Sequence, residues 1–191
     1  MRLFFAVPVP GTIKRAVIAS IESSGLVSAP WRWVSADNFH ITLKFLGETD
    51  PVLIKPLVAA GHSVAEMFSS FGTVYSRFGA FPGLNRPRVL FYGMDAGAGE
   101  MASLASAVDR AVEYLGFERE KRPFKPHLTI ARVKTGLDPR VRGLLQDFAD
   151  LPEGTSGVVD SFLLIRSILG RGGAEYEEIA RFDLSSGRGQ P

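Results

Sequence analysis

The chain has 191 residues, 46% of them hydrophobic, and no cysteine. That composition supplies a full core for one domain or two closely packed lobes, and it excludes disulfides, a thiolate nucleophile and cysteine-ligated metals. A formal net charge of +2 permits an anionic partner without demanding one. The lack of cysteine fits a reducing cytoplasm, and no apolar run approaches the length of a membrane span.

The opening run Met1–Val7 is apolar but is interrupted by Pro8 and Pro10, so it reads as a buried strand rather than a leader. A strand over 2–9 is followed by a helix over 12–24, with Ile13, Val17, Ile18 and Ile21 at helical spacing. Residues 31–34 read as a short strand or extended loop, and 39–46 as a strand closed by Gly47. Asp50-Pro51 offers an N-cap with proline at the first helical position. The predicted helix runs to about Ser69, with Leu53, Leu57, Val58, Val64 and Met67 inward. Strands over 73–81 and 88–93 precede a helix over 100–115, a strand over 127–133, and a helix over 138–149 capped by Asp138. Two strands, 157–168 and 175–184, are joined by a turn at 170–173, and a polar tail from Ser185 is expected to be disordered. Hairpins mixed with crossovers point to an α+β fold with largely antiparallel sheets, residues 1–184 forming one bilobed domain.

Two runs carry the chemistry: His40-Ile41-Thr42-Leu43 and His127-Leu128-Thr129-Ile130. In a strand, residues i and i+2 share a face, so each run sets an imidazole beside a hydroxyl, with aliphatic side chains behind. Two of the three histidines of the chain sit in this setting, 87 positions apart (127 − 40), near half the length. Each run precedes a proline-started helix. A duplicated lobe with pseudo-two-fold symmetry brings the two strands face to face across a cleft. His62 has no such partner and reads as a surface or boundary residue.

Cleavage of a phosphodiester needs a proton taken from the nucleophile and a proton given to the leaving oxygen. Two imidazoles perform both steps when one is neutral and the other protonated. Thr42 and Thr129 can donate to the phosphate oxygens. Lys44, at i+4 from His40, falls on the same strand face. Arg132, at i+5 from His127, formally falls on the other face unless the strand twists or ends. Phe45 and Phe124 are candidates for stacking on a base, as are Trp31 and Trp33. The mixed run Arg119–Lys125 lies at the approach to the second motif, where it can attract an anionic partner or simply be solvated surface.

With these flanks the chain resembles the 2H phosphoesterases, in particular the bacterial RNA 2′,3′-cyclic phosphodiesterases also called 2′-5′ RNA ligases. The resemblance runs through Met1–Pro8, Trp33-Val34, Asn38–Gly47, Gly79–Pro82, Arg86–Leu90, Arg122–Arg132 and Gly172–Tyr176. It implies a bilobed α+β fold, duplicated with pseudo-two-fold symmetry, in which antiparallel sheets carry helices on their outer faces around a central cleft. It implies hydrolysis of RNA 2′,3′-cyclic phosphate ends to 2′-phosphates without metal or other cofactor. In that reading His40 and His127 are the general acid and base, and Thr42 and Thr129 clamp the phosphate, with Arg132, Lys44 and Phe45 as further substrate contacts. His127 is assigned as base and His40 as acid, although the sequence supports the pair and not the order. Partners are then RNA 3′ ends or small cyclic-phosphate nucleotides, with no membrane and a monomeric protein. A 2′-5′ RNA ligase and a non-catalytic RNA-end-binding module are the alternatives.

Overall fold

The computed structural model describes residues 1–134, 139–170 and 173–186. Two antiparallel sheets organise it. Sheet one has the order β3 (His40–Glu48), β1 (Arg2–Pro8), β8 (Ser161–Gly170), β9 (Gly173–Asp183). Sheet two has the order β2 (Arg32–Trp33), β6 (His127–Arg132), β5 (Val89–Met94), β4 (Phe71–Phe81), β7 (Ser156–Val159). The helices are α1 (Gly11–Ser23), α2 (Ile54–Ala65), α3 (Ala98–Ala111) and α4 (Pro139–Gln146).

Chain order exposes a duplication. The first half runs β1-α1-β3-α2-β4 and the second β5-α3-β6-α4-β8, apart from the short strands β2 and β7 and the final strand β9. In each sheet the motif strand pairs with the first strand of its own half, β3 with β1 and β6 with β5. The last strand of each half is exchanged: β4 pairs with β5, and β8 pairs with β1. Helices cross over as well. Helix α1 packs beneath sheet two, where Pro10 and Ile13 lie against Gly157 and Ser20 hydrogen-bonds the Tyr92 hydroxyl at 2.6 Å. Helices α2 and α3 pack together beneath sheet one. Neither half can complete a sheet alone, and one continuous core joins Leu3, Phe5, Ile13, Leu57, Met101, Leu128, Leu145 and Phe162.

Alternation explains why β1 is central. Leu3, Phe5 and Val7 enter this main core, while Phe4 and Ala6 join Leu163 and Ile165 in a second cluster on the opposite face of sheet one. Close approach of α2 to β9 depends on Gly61, where a Cβ would run into the Phe182 ring.

Several boundaries differ from expectation. The segment after Asp50 opens as a 3₁₀ turn, Pro51–Leu53, with the Asp50 carboxylate accepting from Val52 N–H, and α2 ends at Ala65. Met67, expected inward, is 69% exposed because the helix has already stopped. The strand expected over 157–168 is two strands, since the chain leaves sheet two at Asp160 and enters sheet one at Ser161. Helix α3 ends at Ala111, and a 3₁₀ turn, Glu113–Leu115, completes the predicted helical stretch. Ser185, expected to begin a disordered tail, is held between Phe68 and Ser70 by backbone hydrogen bonds of 3.1 and 2.8 Å. The Asp138 cap, the centre of the turn after Gly170, and residues 187–191 lie outside the described residues.

Candidate active site

His40 opens β3 and His127 opens β6. Each imidazole is tied back to the carbonyl two residues upstream: His40 Nδ1 to Asn38 O at 2.7 Å, and His127 Nδ1 to Lys125 O at 2.7 Å. A carbonyl only accepts, so Nδ1 carries the proton in both rings. Nε2 is thereby left as the working nitrogen, an acceptor when the ring is neutral and a donor when it is protonated. His40 Nε2 also meets Thr42 Oγ1 at 3.0 Å. No counterpart bond joins His127 to Thr129 among the described residues. Asn38 donates its side-chain N–H to Ala174 O at 2.8 Å, which fastens the approach to β3 onto the start of β9.

Aromatic rings flank both imidazoles. His40 lies against Phe4 at 5.0 Å and edge-on to Tyr176 at 5.2 Å. His127 lies edge-on to Phe81 at 5.1 Å and Phe91 at 5.5 Å. Phe81 and Phe91 stack on each other at 4.3 Å, and Gly79 makes room: a Cβ there would meet the Phe91 ring at 2.6 Å. Sequence reasoning gave none of these four rings a role. Their positions come from cross-strand pairing, and the strand pattern alone does not say which face of a strand meets the histidines.

Burial lowers both imidazoles. That of His40 falls to about 4, mainly from lost hydration; the Asn38 carbonyl opposes the shift, and the charges of Arg132 and His127 add to it. His127 is lowered in the same sense, by burial first and then by Arg132, against the Lys125 carbonyl. Burial raises the Tyr176 phenol, with Arg132 and Arg2 opposing. The charge of Arg132 is thus felt at His40, His127 and Tyr176, and that of His127 at His40. The two motif strands, β3 and β6, are neighbours.

A bulge decides which side chains join the histidines. Along β1 and β3, Pro8 pairs with His40 and Ala6 with Thr42; Leu43 is then skipped, so Phe5 pairs with Lys44 and Phe4 with Phe45. Along β5 and β6 the pattern repeats: Gly93 with His127, Phe91 with Thr129, Ile130 skipped, Leu90 with Ala131, Val89 with Arg132. One extra residue reverses the alternation. Arg132 therefore returns to the face of His127, although simple parity puts it on the other. Lys44 turns the opposite way, and its expected place beside His40 is overturned: its side chain, 9% exposed, reaches Asp109 Oδ1 on α3 at 2.6 Å and the Glu118 carbonyl. Phe45 takes the face of His40, 67% exposed and 5.9 Å from Phe4. Of the other aromatic candidates, Trp31 is buried, while Trp33 and Phe124 are partly buried and packed against the core. His62 stands edge-on to Phe182, away from the site.

Two half-buried histidines, each with Nδ1 bound to a backbone carbonyl and a threonine two residues on, stand on neighbouring strands, an arrangement suited to phosphoester chemistry. Comparison places it further. The LigT like Phosphoesterase family matches the chain twice, over residues 7–91 and 93–176, and the chain belongs to that family. His40 and His127 fall 33 and 34 positions after the starts of the two matches (40 − 7 and 127 − 93). The chain is 37% identical over 171 residues to the RNA 2′,3′-cyclic phosphodiesterase of Aeropyrum pernix, covering 87% of this chain and 94% of that one. Its fold matches the crystal structure of TT0787 from Thermus thermophilus with TM-score 0.81 at 29% identity, covering 98% of this chain and 100% of the other. It also matches E. coli LigT complexed with 3′-AMP with TM-score 0.75 at 26% identity, covering 97% and 98%.

Proposed function

We propose that this protein hydrolyses 2′,3′-cyclic phosphates at RNA ends, giving a 2′-phosphate and a free 3′-hydroxyl. The observation that carries the reading is the matched pair of imidazoles, each with Nδ1–H bound to a backbone carbonyl and Nε2 left to exchange protons. The activity named for the Aeropyrum pernix relative supports the substrate, and the complex of E. coli LigT supports a nucleotide-sized site.

In this mechanism one Nε2 takes a proton from water as its oxygen bonds to phosphorus. The bond from phosphorus to the 3′-oxygen breaks, and the second imidazole gives that oxygen a proton through its Nε2–H. Arg132 and the hydroxyls of Thr42 and Thr129 meet the charge on the non-bridging oxygens. The deeper desolvation of His40 keeps it neutral, which favours His40 as base and His127 as acid, the reverse of the order assigned from sequence. Proton transfer and charge are both covered by side chains, so the proposal requires no metal.

The test is incubation with an RNA ending in a 2′,3′-cyclic phosphate, with EDTA present. Conversion to a 2′-phosphate end bears the proposal out. A new 2′-5′ linkage makes the protein a ligase, and RNA bound but unchanged makes it an end-binding module; either result rejects hydrolysis as the function.

A further inference from the structure

Beside the cleft, the segment 117–122 runs past the second half of β3, and an open groove of about 560 Å³ lies between them. Phe45, Leu46 and Phe117 form its apolar wall, and Arg119, Lys121 and Arg122 bring cations to it. Asp109 on α3 holds the segment in place. It accepts from Arg119 Nε at 3.0 Å and from Glu120 N–H at 3.2 and 3.3 Å, and it also binds Lys44 at 2.6 Å. Two cations of the groove, Lys44 and Arg119, are thus occupied. The carboxylates of Glu118 and Glu120 also border the groove, and that of Glu120 accepts from Arg122 N–H. The side chains of Lys121 and Arg122 are exposed and pair with no carboxylate among the described residues.

The groove and the cleft share a wall. Phe45 borders the groove and touches Phe4, which lies against His40. A single RNA strand binds to a surface that offers aromatic faces to its bases and mobile cations to its phosphates. A cyclic phosphate sits on the last nucleotide, so the rest of the strand must leave the cleft on the 5′ side of the reacting end.

Resting on the proposed reaction at His40 and His127, we propose that this groove binds the RNA just upstream of the cyclic phosphate, with a base against Phe45 and backbone phosphates on Lys121 and Arg122. The preferred substrate is then an oligoribonucleotide end rather than a free cyclic mononucleotide.

The experiment compares the wild type with Lys121→Ala/Arg122→Ala on a hexaribonucleotide ending in 2′,3′-cyclic phosphate and on 2′,3′-cyclic AMP. Affinity for the fluorescent hexamer ending in 2′-phosphate is measured alongside, as a function of salt. Wild type is expected to favour the hexamer. The double variant is expected to lose on the order of tenfold in kcat/KM on the hexamer while staying within about twofold on cyclic AMP. Loss of two phosphate contacts also lowers the slope of log affinity against log salt by about 1.4. Equal losses on both substrates, or unchanged hexamer affinity and salt slope, overturn the groove. If wild type cleaves neither substrate, the hydrolytic reading fails by itself, and the binding measurement still decides the groove.

Discussion

Arg132 and Phe45 occupy the same place in the two halves of the molecule. Each lies five residues after a motif histidine, beyond a one-residue bulge at Ile130 or Leu43, and each returns to the histidine's side of its sheet. One half thus supplies a cation next to its imidazole, and the other supplies an aromatic ring. The two halves share a frame, and at this position they differ in what they present beside the motif: a guanidinium in one and a phenyl ring in the other.

Arg132 can be isolated by Arg132→Gln. Loss of one charged hydrogen-bonding partner should cost about tenfold to a hundredfold in kcat/KM. Because its charge lowers both imidazoles, both should also titrate at higher pH in the variant, which NMR of the ring protons can follow. Unmoved titrations would mean that the guanidinium does not bear on the histidines.

His40→Ala and His127→Ala should each lower kcat on a cyclic phosphate by about 10²–10⁴, the usual share of a general acid or base. An activated ester such as a nucleoside 2′-(4-nitrophenyl phosphate) separates the two, since nitrophenolate leaves without a proton. On that substrate His127→Ala should recover most of its rate and His40→Ala should not. Recovery by His40→Ala alone would restore the order assigned from sequence.

The His40 imidazole sits near 4 in the folded protein against an ordinary value of 6.5. Between those values the unfolded chain binds a proton that the folded chain refuses, so stability falls as pH drops from about 6.5 to about 4. The loss reaches up to about 3 kcal/mol from this group. His127 acts in the same direction. Urea denaturation at pH 7 and pH 4.5 measures it, and His40→Gln should flatten the difference. An equal pH dependence in that variant would place the effect elsewhere.

Burial alone would raise the Asp109 carboxyl, but hydrogen bonds from Lys44, Arg119 and Glu120 N–H outweigh it and hold it below its ordinary range. Asp109→Ala strands the Lys44 ammonium in a site where it is 9% exposed. The cost should be about 3 kcal/mol in chemical denaturation. Lys44→Met in the same chain should recover part of that loss; a purely additive double variant would show that the pair is not coupled.

Gly79→Val should push the Phe91 ring against His127, since even a Cβ falls within 2.6 Å of it. Overpacking of this kind costs about 1–3 kcal/mol, and kcat should fall further than the loss of folded protein accounts for. Full activity per folded molecule would show that the Phe91 ring does not position His127.

The sequence by itself determined the two His-x-Thr runs, the elements that carry them and the α+β class, because strand alternation and helical spacing are local and are written directly in residue order. His40 and Thr42 on one face, Ile41 and Leu43 on the other, follow from a period of two. Tertiary structure alone decided what lies past the motif. Pairing with β1 and β5 sets the bulges at Leu43 and Ile130, and a bulge reverses parity without leaving a mark in composition. That is why Lys44, in phase with His40 by counting, faces Asp109, and why Arg132, out of phase, joins the imidazoles. The exchange of β4 and β8 between sheets, and the split at Asp160, likewise depend on which strand edges are free once the other half has folded. That is a property of the assembled sheets rather than of any one segment.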